Sequence, residues 1–315
     1  MAKSVLDQAH FQDEAAAYKW VEARLWANGR VCPHCGEVDR SSPMKGKSTR
    51  IGSYKCYGCR KKFTVKVGTI FEDSHIELHV WLQAMYLLGS SKKGISSNQL
   101  ARTLGVTLKS AWFLSHRIRE AMKDSGTIFG GNFGGVEVDE TLQGLDPRRA
   151  DEEFIHANSY NRVLTLIDRD TGAARSFVLT EFTAAEVQRI FNENLSREAY
   201  LLTDEAGQYK PPGALQTFHG TTNHSAGEYV SKDAPWVHTN TVEGYYSVFK
   251  RGMKGVYQHA SRAHLHRYCI EFDFRYSNRS NLGVDDVARF TKIVEGVTGK
   301  RLTYRSADRY AHIET

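Results

Sequence analysis

"GVEVDET", residues 135–141, reads as a strand in which β-branched valines alternate with acids, so that Glu137 and Asp139 fall on the same side. It follows "DSGTIFGGNFGG", Asp124 to Gly135, a glycine-rich stretch that marks a boundary. Downstream, "RVLTLIDRDTGAARSFVLT" reads as a hairpin, two apolar runs joined by the turn "DRDTG". "TAAEVQRIFNENL" reads as a helix capped by Thr183, and "AYLLTDEAG" as an apolar strand ending in Asp204. A looped region rich in Gly, Pro and His comes next, and helices follow it.

Three consecutive strands, a helix, a further strand and then helices match the element order of a ribonuclease H-like core. In such a sheet the first and fourth strands are neighbours, which would bring Asp139 and Asp204 together. The next segment, "HTNTVEGYYSVFKRG" (238–252), reads as a helix with two stripes. Val242, Tyr246, Phe249 and Met253 form an apolar stripe suited to a core, while Glu243, Ser247, Lys250 and Lys254 form a polar one. A lone acid heading a row of bases is either a solvated face or a place where the acid holds a metal and the bases hold a polyanion. Glu243 would be a third carboxylate, at separations of 65 and 39 residues along the chain Asp139–Asp204–Glu243.

Phosphodiester chemistry gives such a triad a purpose. It needs a deprotonated oxygen nucleophile and a stabilised leaving alkoxide, which two Mg²⁺ (or Mn²⁺) ions roughly 3.5–4 Å apart provide. Hard cations take carboxylate oxygens, and Mg²⁺ keeps several waters, so few protein ligands suffice. Lys250, with Arg251 and Lys254 beyond it, would face the flanking phosphates. The ordinary alternatives are strand-end Asp residues that cap turns, and a Glu that pairs with a base one helical turn away.

Upstream of the boundary, "CPHCG" and "CYGCR" set Cys32, Cys35, Cys56 and Cys59 in a C-x2-C-x20-C-x2-C pattern. Four thiolates fill a tetrahedron around one structural Zn²⁺ and leave no position for substrate. Cys269, alone in a helical stretch, reads as core. From Arg40 to Lys66 there are nine Lys or Arg and no Asp or Glu. Such a run is either a solvated face or, with Lys61 and Lys62 on a ribbon, a phosphate contact. Then come three helices, about His79 to Ser90, about Ser97 to Leu104, and Thr107-capped to about Met122, with Gly105 at the sharp turn. This is the helix-turn-helix pattern, with Lys109 and Ser110 near the start of its last helix able to reach DNA; a plain helical hairpin is the alternative.

The chain has 315 residues, 25% of them charged, and a net charge of +6, which leans toward polyanion partners. No run approaches the ~18 apolar residues of a membrane helix, and no signal peptide opens the chain, so a cytoplasmic, nucleoid-associated protein without a membrane partner is expected. The opening "MAKSVLDQAHFQDEAAAYKWVEARLW" reads as one amphipathic helix. His219, His224 and His238 lack metal-ligand spacing and read mainly as props for the loop before the 238–252 helix. "RYCIEFDFRYSNR" reads as a core helix with a basic edge of Arg267, Arg275 and Arg279.

The segments "CPHCG", "CYGCRKKFTVKVGTIFEDS", "VEVDET", "LLTDEAGQY", "NHSAGEYV", "HTNTVEGYYSVFKRGMKGVYQHASRAHLHRYCIEFDFRYSNR" and "GKRLTYR" resemble, in order and over nearly the whole chain, the zinc-ribbon-bearing DDE transposases of bacterial insertion sequences, an ISXO-like group related to Merlin elements. The resemblance implies a catalytic set of Asp139, Asp204, Glu243 and Lys250. Some relatives carry Asn as third ligand, which makes Asn240 the competitor of Glu243. It implies a multi-domain α/β chain: 1–70 a helix and zinc ribbon, 71–125 a helix-turn-helix, 133–282 a ribonuclease H-like mixed sheet flanked by helices, and 283–315 a helical tail. The expected activity is binding of terminal inverted repeats, end cleavage and transfer of the 3′-OH to target DNA, carried out by more than one copy. The competing functions are a DNA-binding regulator without catalysis and a metal-dependent nuclease that does not join. After "VEVDET" the chain departs from the group's aromatic, glycine and basic pattern with "LQGLDPRRADEEF".

Overall fold

The computed structural model describes residues 4–124, 126–146 and 159–303. Most of "LQGLDPRRADEEF" and the last residues of "GKRLTYR" lie outside them. The chain divides into two units, one made of residues 1–91, 95–122 and 285–315, the other of 92–94 and 123–284.

The first unit opens with two helices, α1 (Ala9–Gln12) and α2 (Glu14–Leu25), where the sequence reads as one. The break is Asp13, which takes extended backbone angles and turns its carboxylate onto the N–H of Ala16 at 2.8 Å, capping α2. A small antiparallel sheet follows, β1 (Ser41–Pro43), β2 (Tyr54–Cys56) and β3 (Lys62–Phe63), in that order. Its core is only Cys32, Tyr54, Cys56 and Phe63, backed by Trp26, Cys59 and Val67, too little to hold a fold without metal.

Three helices come next: α3 (Leu78–Ser90), α4 (Ser97–Leu104) and α5 (Leu108–Ala121). Their starts follow the sequence. Ser96 accepts from the N–H of Gln99 and Thr107 from that of Ser110, both at 3.2 Å, and Gly105 supplies the left-handed turn at φ 68°. The carboxylate of Glu14 caps α3, accepting from the N–H groups of Leu78 (2.9 Å) and His79 (3.0 Å). A last helix, Asp286–Glu295, packs on α3 and buries Phe290, Ile293 and Val294.

The second unit is built on five strands: β4 (Gly135–Leu145), β5 (Tyr160–Asp168), β6 (Ala174–Leu179), β7 (Tyr200–Asp204) and β8 (Phe218–Thr222). They lie in the order β6-β5-β4-β7-β8, with β4 antiparallel to β5 and parallel to β7. The expected pairing of first and fourth strands is therefore present. β8 falls in the stretch read as loop; "FHGTT" carries no clear alternation, and its strand form comes from parallel pairing along β7.

One face of the sheet, with Val136, Val138, Leu164 and Leu166, packs on α6 (Ala184–Asn194) and on Tyr209, just before the short helix α7 (Lys210–Gly213). Thr183 caps α6 as the sequence indicates. The other face, with Val163 and Ile167, packs on α8 (Asn240–Gly252) and α9 (Arg262–Ser277). Val242, Tyr246 and Phe249 are buried there, as the apolar stripe requires, and so is Cys269. The expected basic edge of α9 is corrected at two positions: Arg267 and Arg275 are buried, Arg275 paired with Glu271 one turn back. Among the described residues no helix is long and apolar enough to cross a membrane.

Candidate active site

Among the described residues two groups of side chains are close enough to hold an ion: the four cysteines, and Asp139 with Glu140 and Asp204. In each group the ligand atoms lie within 4.8 Å of one another.

Cys32 and Cys59 place their sulfurs 3.7 Å apart, as do Cys35 and Cys56. Four sulfurs about 2.3 Å from a central zinc would stand about 3.8 Å from each other, so the donor set fits that ion. Crowding splits the thiols: the backbone N–H of Cys59 first draws Cys56 down to about 7, while Cys35, against the pull of the Glu37 N–H, is pushed up to about 11 by burial and the neighbouring sulfurs. Lys61 and Lys62, beside the second pair, are exposed.

The acidic group follows from the sheet. β4 and β7 run parallel with Glu137 level with Leu202, so Asp139 and Asp204, each two residues further on, come side by side where the two strands stop pairing. Burial first, and then the charges of Glu140, Asp204 and Glu243, push the Asp139 carboxyl up to about 8. Burial also raises Asp204, an effect strengthened by Glu205 and opposed by the N–H of Ala206 and by His224. Carboxylates that oppose each other's ionisation in this way suit a hard dication, which relieves the repulsion.

Glu140 did not figure in the sequence reading. Its carboxyl accepts from the Tyr209 phenol and lies 3.2 Å from Arg162, so it is held from the α6 side of the sheet. Burial raises it as well. The available signal was the acid doublet itself, but strand alternation argues that neighbours point apart, and only near the end of the β4–β7 pairing do both reach one space.

Glu243 stands outside the 4.8 Å group. It lies on the first turn of α8, with Oε1 3.8 Å from Nε2 of His224, and is close enough to Asp139 to act on it electrostatically. Asn240 begins the same helix and is exposed. Lys250 and Arg251 are exposed on its last turn. Lys254 is exposed too, on the π-helical turn Met253–Tyr257 that continues α8. In the first unit Lys109 is exposed and Ser110 half-buried at the start of α5. His219 is a prop, its Nε2 2.9 Å from the Thr203 hydroxyl. His238 lies against Arg169 and is 3.5 Å from Glu137.

A mixed five-stranded sheet with helices on both faces, and acids just past the end of the parallel β4–β7 pairing, defines an RNase H-like domain of the transposase type. Residues 133–277 match the ISXO2-like transposase domain, and residues 12–62 match the transposase zinc-ribbon domain. The chain is also 26% identical, over 280 residues, to an uncharacterized protein in transposable element ISH50 of Halobacterium salinarum, an alignment covering 84% of this chain and 91% of that one. The chain thus carries, in order, the zinc-ribbon and DDE domains found in transposases of insertion sequences. A solved chain from the simian T-cell lymphotropic virus intasome in complex with PP2A regulatory subunit B56 gamma aligns at TM-score 0.28 and 10% identity, over 61% of this chain and 64%, just under two thirds, of the other.

Proposed function

We propose that this transposase binds the terminal inverted repeats of its element, cuts at their ends and joins the freed 3′-OH to target DNA. The observation that carries the reading is the meeting of Asp139, Glu140 and Asp204 oxygens within 4.8 Å, just past the end of the parallel β4–β7 pairing. Asp139, Asp204 and Glu243 would hold two Mg²⁺ or Mn²⁺ ions, with Glu140 offering a further oxygen beside them. When bound, such a pair favours the deprotonated nucleophile and stabilises the departing oxygen.

The chain's own side chains supply position and charge. Tyr209 and Arg162 hold Glu140, while α8 brings Glu243 toward Asp139. Lys250, Arg251 and Lys254 would neutralise the phosphates flanking the scissile bond. In the cut, a water oxygen bonds to phosphorus, the bond to the 3′ oxygen breaks, and that oxygen leaves protonated. In the joining step the 3′-OH bonds to a target phosphorus, gives up its proton and displaces the target's 3′ oxygen.

Recognition of the ends falls to residues 1–70 and 71–125 in this reading, through Lys61, Lys62, Lys109 and Ser110, and the chemistry to 133–282, with 283–315 a helical tail whose helix packs back on α3. Two ends must be handled together, so at least two copies would act on DNA, in the nucleoid. A strand-transfer assay with end-bearing oligonucleotides and Mg²⁺ or Mn²⁺ is the test. Joined product is expected; binding alone would indicate a regulator, and cutting alone a nuclease.

A further inference from the structure

Glu137 is fully buried, yet the expected metal set does not include it. Its partners show its use. Oε2 accepts from the backbone N–H groups of Thr241 (2.8 Å) and Val242 (3.0 Å). Oε1 accepts from the Thr241 hydroxyl and from Nε of Arg169, each at 2.6 Å. Helix α8 has no side-chain cap of its own: Thr239 at its N-cap makes no such bond. The N–H groups that a helix start leaves unsatisfied are met here by a carboxylate 104 and 105 residues upstream. Arg169 then ties down the approach to the helix, donating to the carbonyls of Trp236 (2.5 Å) and His238 (2.9 Å).

The register gives this node its meaning. Glu137 is the β4 residue level with Leu202 on β7, and it grips Thr241 on α8. Two residues beyond each of these three positions stand Asp139, Asp204 and Glu243. A cap needed only for helix stability could have come locally, from Thr239. A buried carboxylate shared between β4 and α8 fixes the separation of two acid-bearing elements instead.

We infer that Glu137 is a positioning residue that sets the placement of Glu243 against Asp139 and Asp204, resting on the proposed metal-dependent function. The test is Glu137→Gln in the full chain, which keeps the shape but removes acceptor capacity and charge. Mn²⁺ binding is followed by calorimetry and by the paramagnetic signal of the free ion, beside end cleavage against Mn²⁺ concentration. The expected result is an apparent Mn²⁺ affinity weaker by about tenfold or more, with end-DNA binding within about twofold of the parent. Thr241→Val, which removes one hydroxyl donor and keeps both backbone bonds, is the milder variant and should shift affinity the same way by about two- to threefold. Thr183→Ala, which uncaps α6, should lower stability without moving Mn²⁺ affinity.

Unchanged Mn²⁺ affinity in Glu137→Gln, or in Thr241→Val should the first variant not fold, overturns the inference, as does an equal shift in Thr183→Ala. If the parent itself binds no Mn²⁺ that Asp139→Asn abolishes, the functional reading fails and takes the inference with it. The two failures are thus told apart by which protein loses binding.

Discussion

The phenol of Tyr246 donates to the main-chain carbonyl of Asp139 at 2.6 Å and lies 3.2 Å from that of Val163. Helix α8 is thereby fastened to two strands at the residue heading the acidic group. Tyr246→Phe should keep the packing and lose the hydroxyl, with its bonds to both carbonyls. We expect a loss of roughly 1–2 kcal/mol in urea unfolding, and a fall in cleavage rate larger than a uniform stability loss would give. An unchanged unfolding midpoint would show that the bond contributes nothing net.

Asp139 makes opposite demands on stability and on activity. Its carboxyl is raised from 3.8 to about 8. Below the lower value folded and unfolded chains are both protonated there, and folding incurs no cost. As pH rises through this window the unfolded chain ionises first, so metal-free stability falls until the folded group has ionised too. With a chelator at pH 8, Asp139→Asn should therefore melt higher than the parent, by roughly 5 °C. Added Mn²⁺ should stabilise the parent alone, and only the parent should cleave, while end binding stays alike in both. A variant that melts lower in chelator would contradict the electrostatic account.

Glu140 and Glu243 compete for the place of third carboxylate. If both serve the ions, Glu140→Gln and Glu243→Gln should each weaken Mn²⁺ binding, by about 10- to 100-fold. If Glu140 belongs only to the network of Tyr209 and Arg162, its variant should lose stability and keep metal affinity. Calorimetric titration of the two variants side by side distinguishes these outcomes.

For the ribbon, Cys32→Ser removes one of four sulfurs from a core of very few residues. Zinc content by mass spectrometry should drop from one ion per chain toward none, and proteolysis should open the 26–67 segment first. Undiminished zinc would remove the four-cysteine site.

Much of this architecture was legible in the chain because it is local. Ser96, Thr107 and Thr183 cap the helices they precede, and the α8 stripe of Val242, Tyr246 and Phe249 buries as its spacing dictates. The cysteine spacing converges because each pair sits on one tight turn. Other features were hidden because they are settled by distant partners. Strand β8 takes its form from β7, and the α1–α2 break depends on a single Asp13 carboxylate. In the sequence Glu137 is only an acid on the same side of its strand as Asp139; its donors come from Thr241 and Val242, far along the chain. Arg275 read as a surface base because nothing in α9 announces that Glu271 would meet it inside.

Helix Asp286–Glu295 packs on α3, so the N-terminal unit takes its last wall from chain that follows the entire acid-bearing sheet. On the ribosome, β4 to β8 and α8 emerge and can close while the side of α3 that this helix covers is still bare. A premature stop just after α9 would then release a finished sheet joined to a bundle lacking Phe290, Ile293 and Val294. Such a truncated product would be prone to sticking and proteolysis at its beginning, far from the site of the lesion.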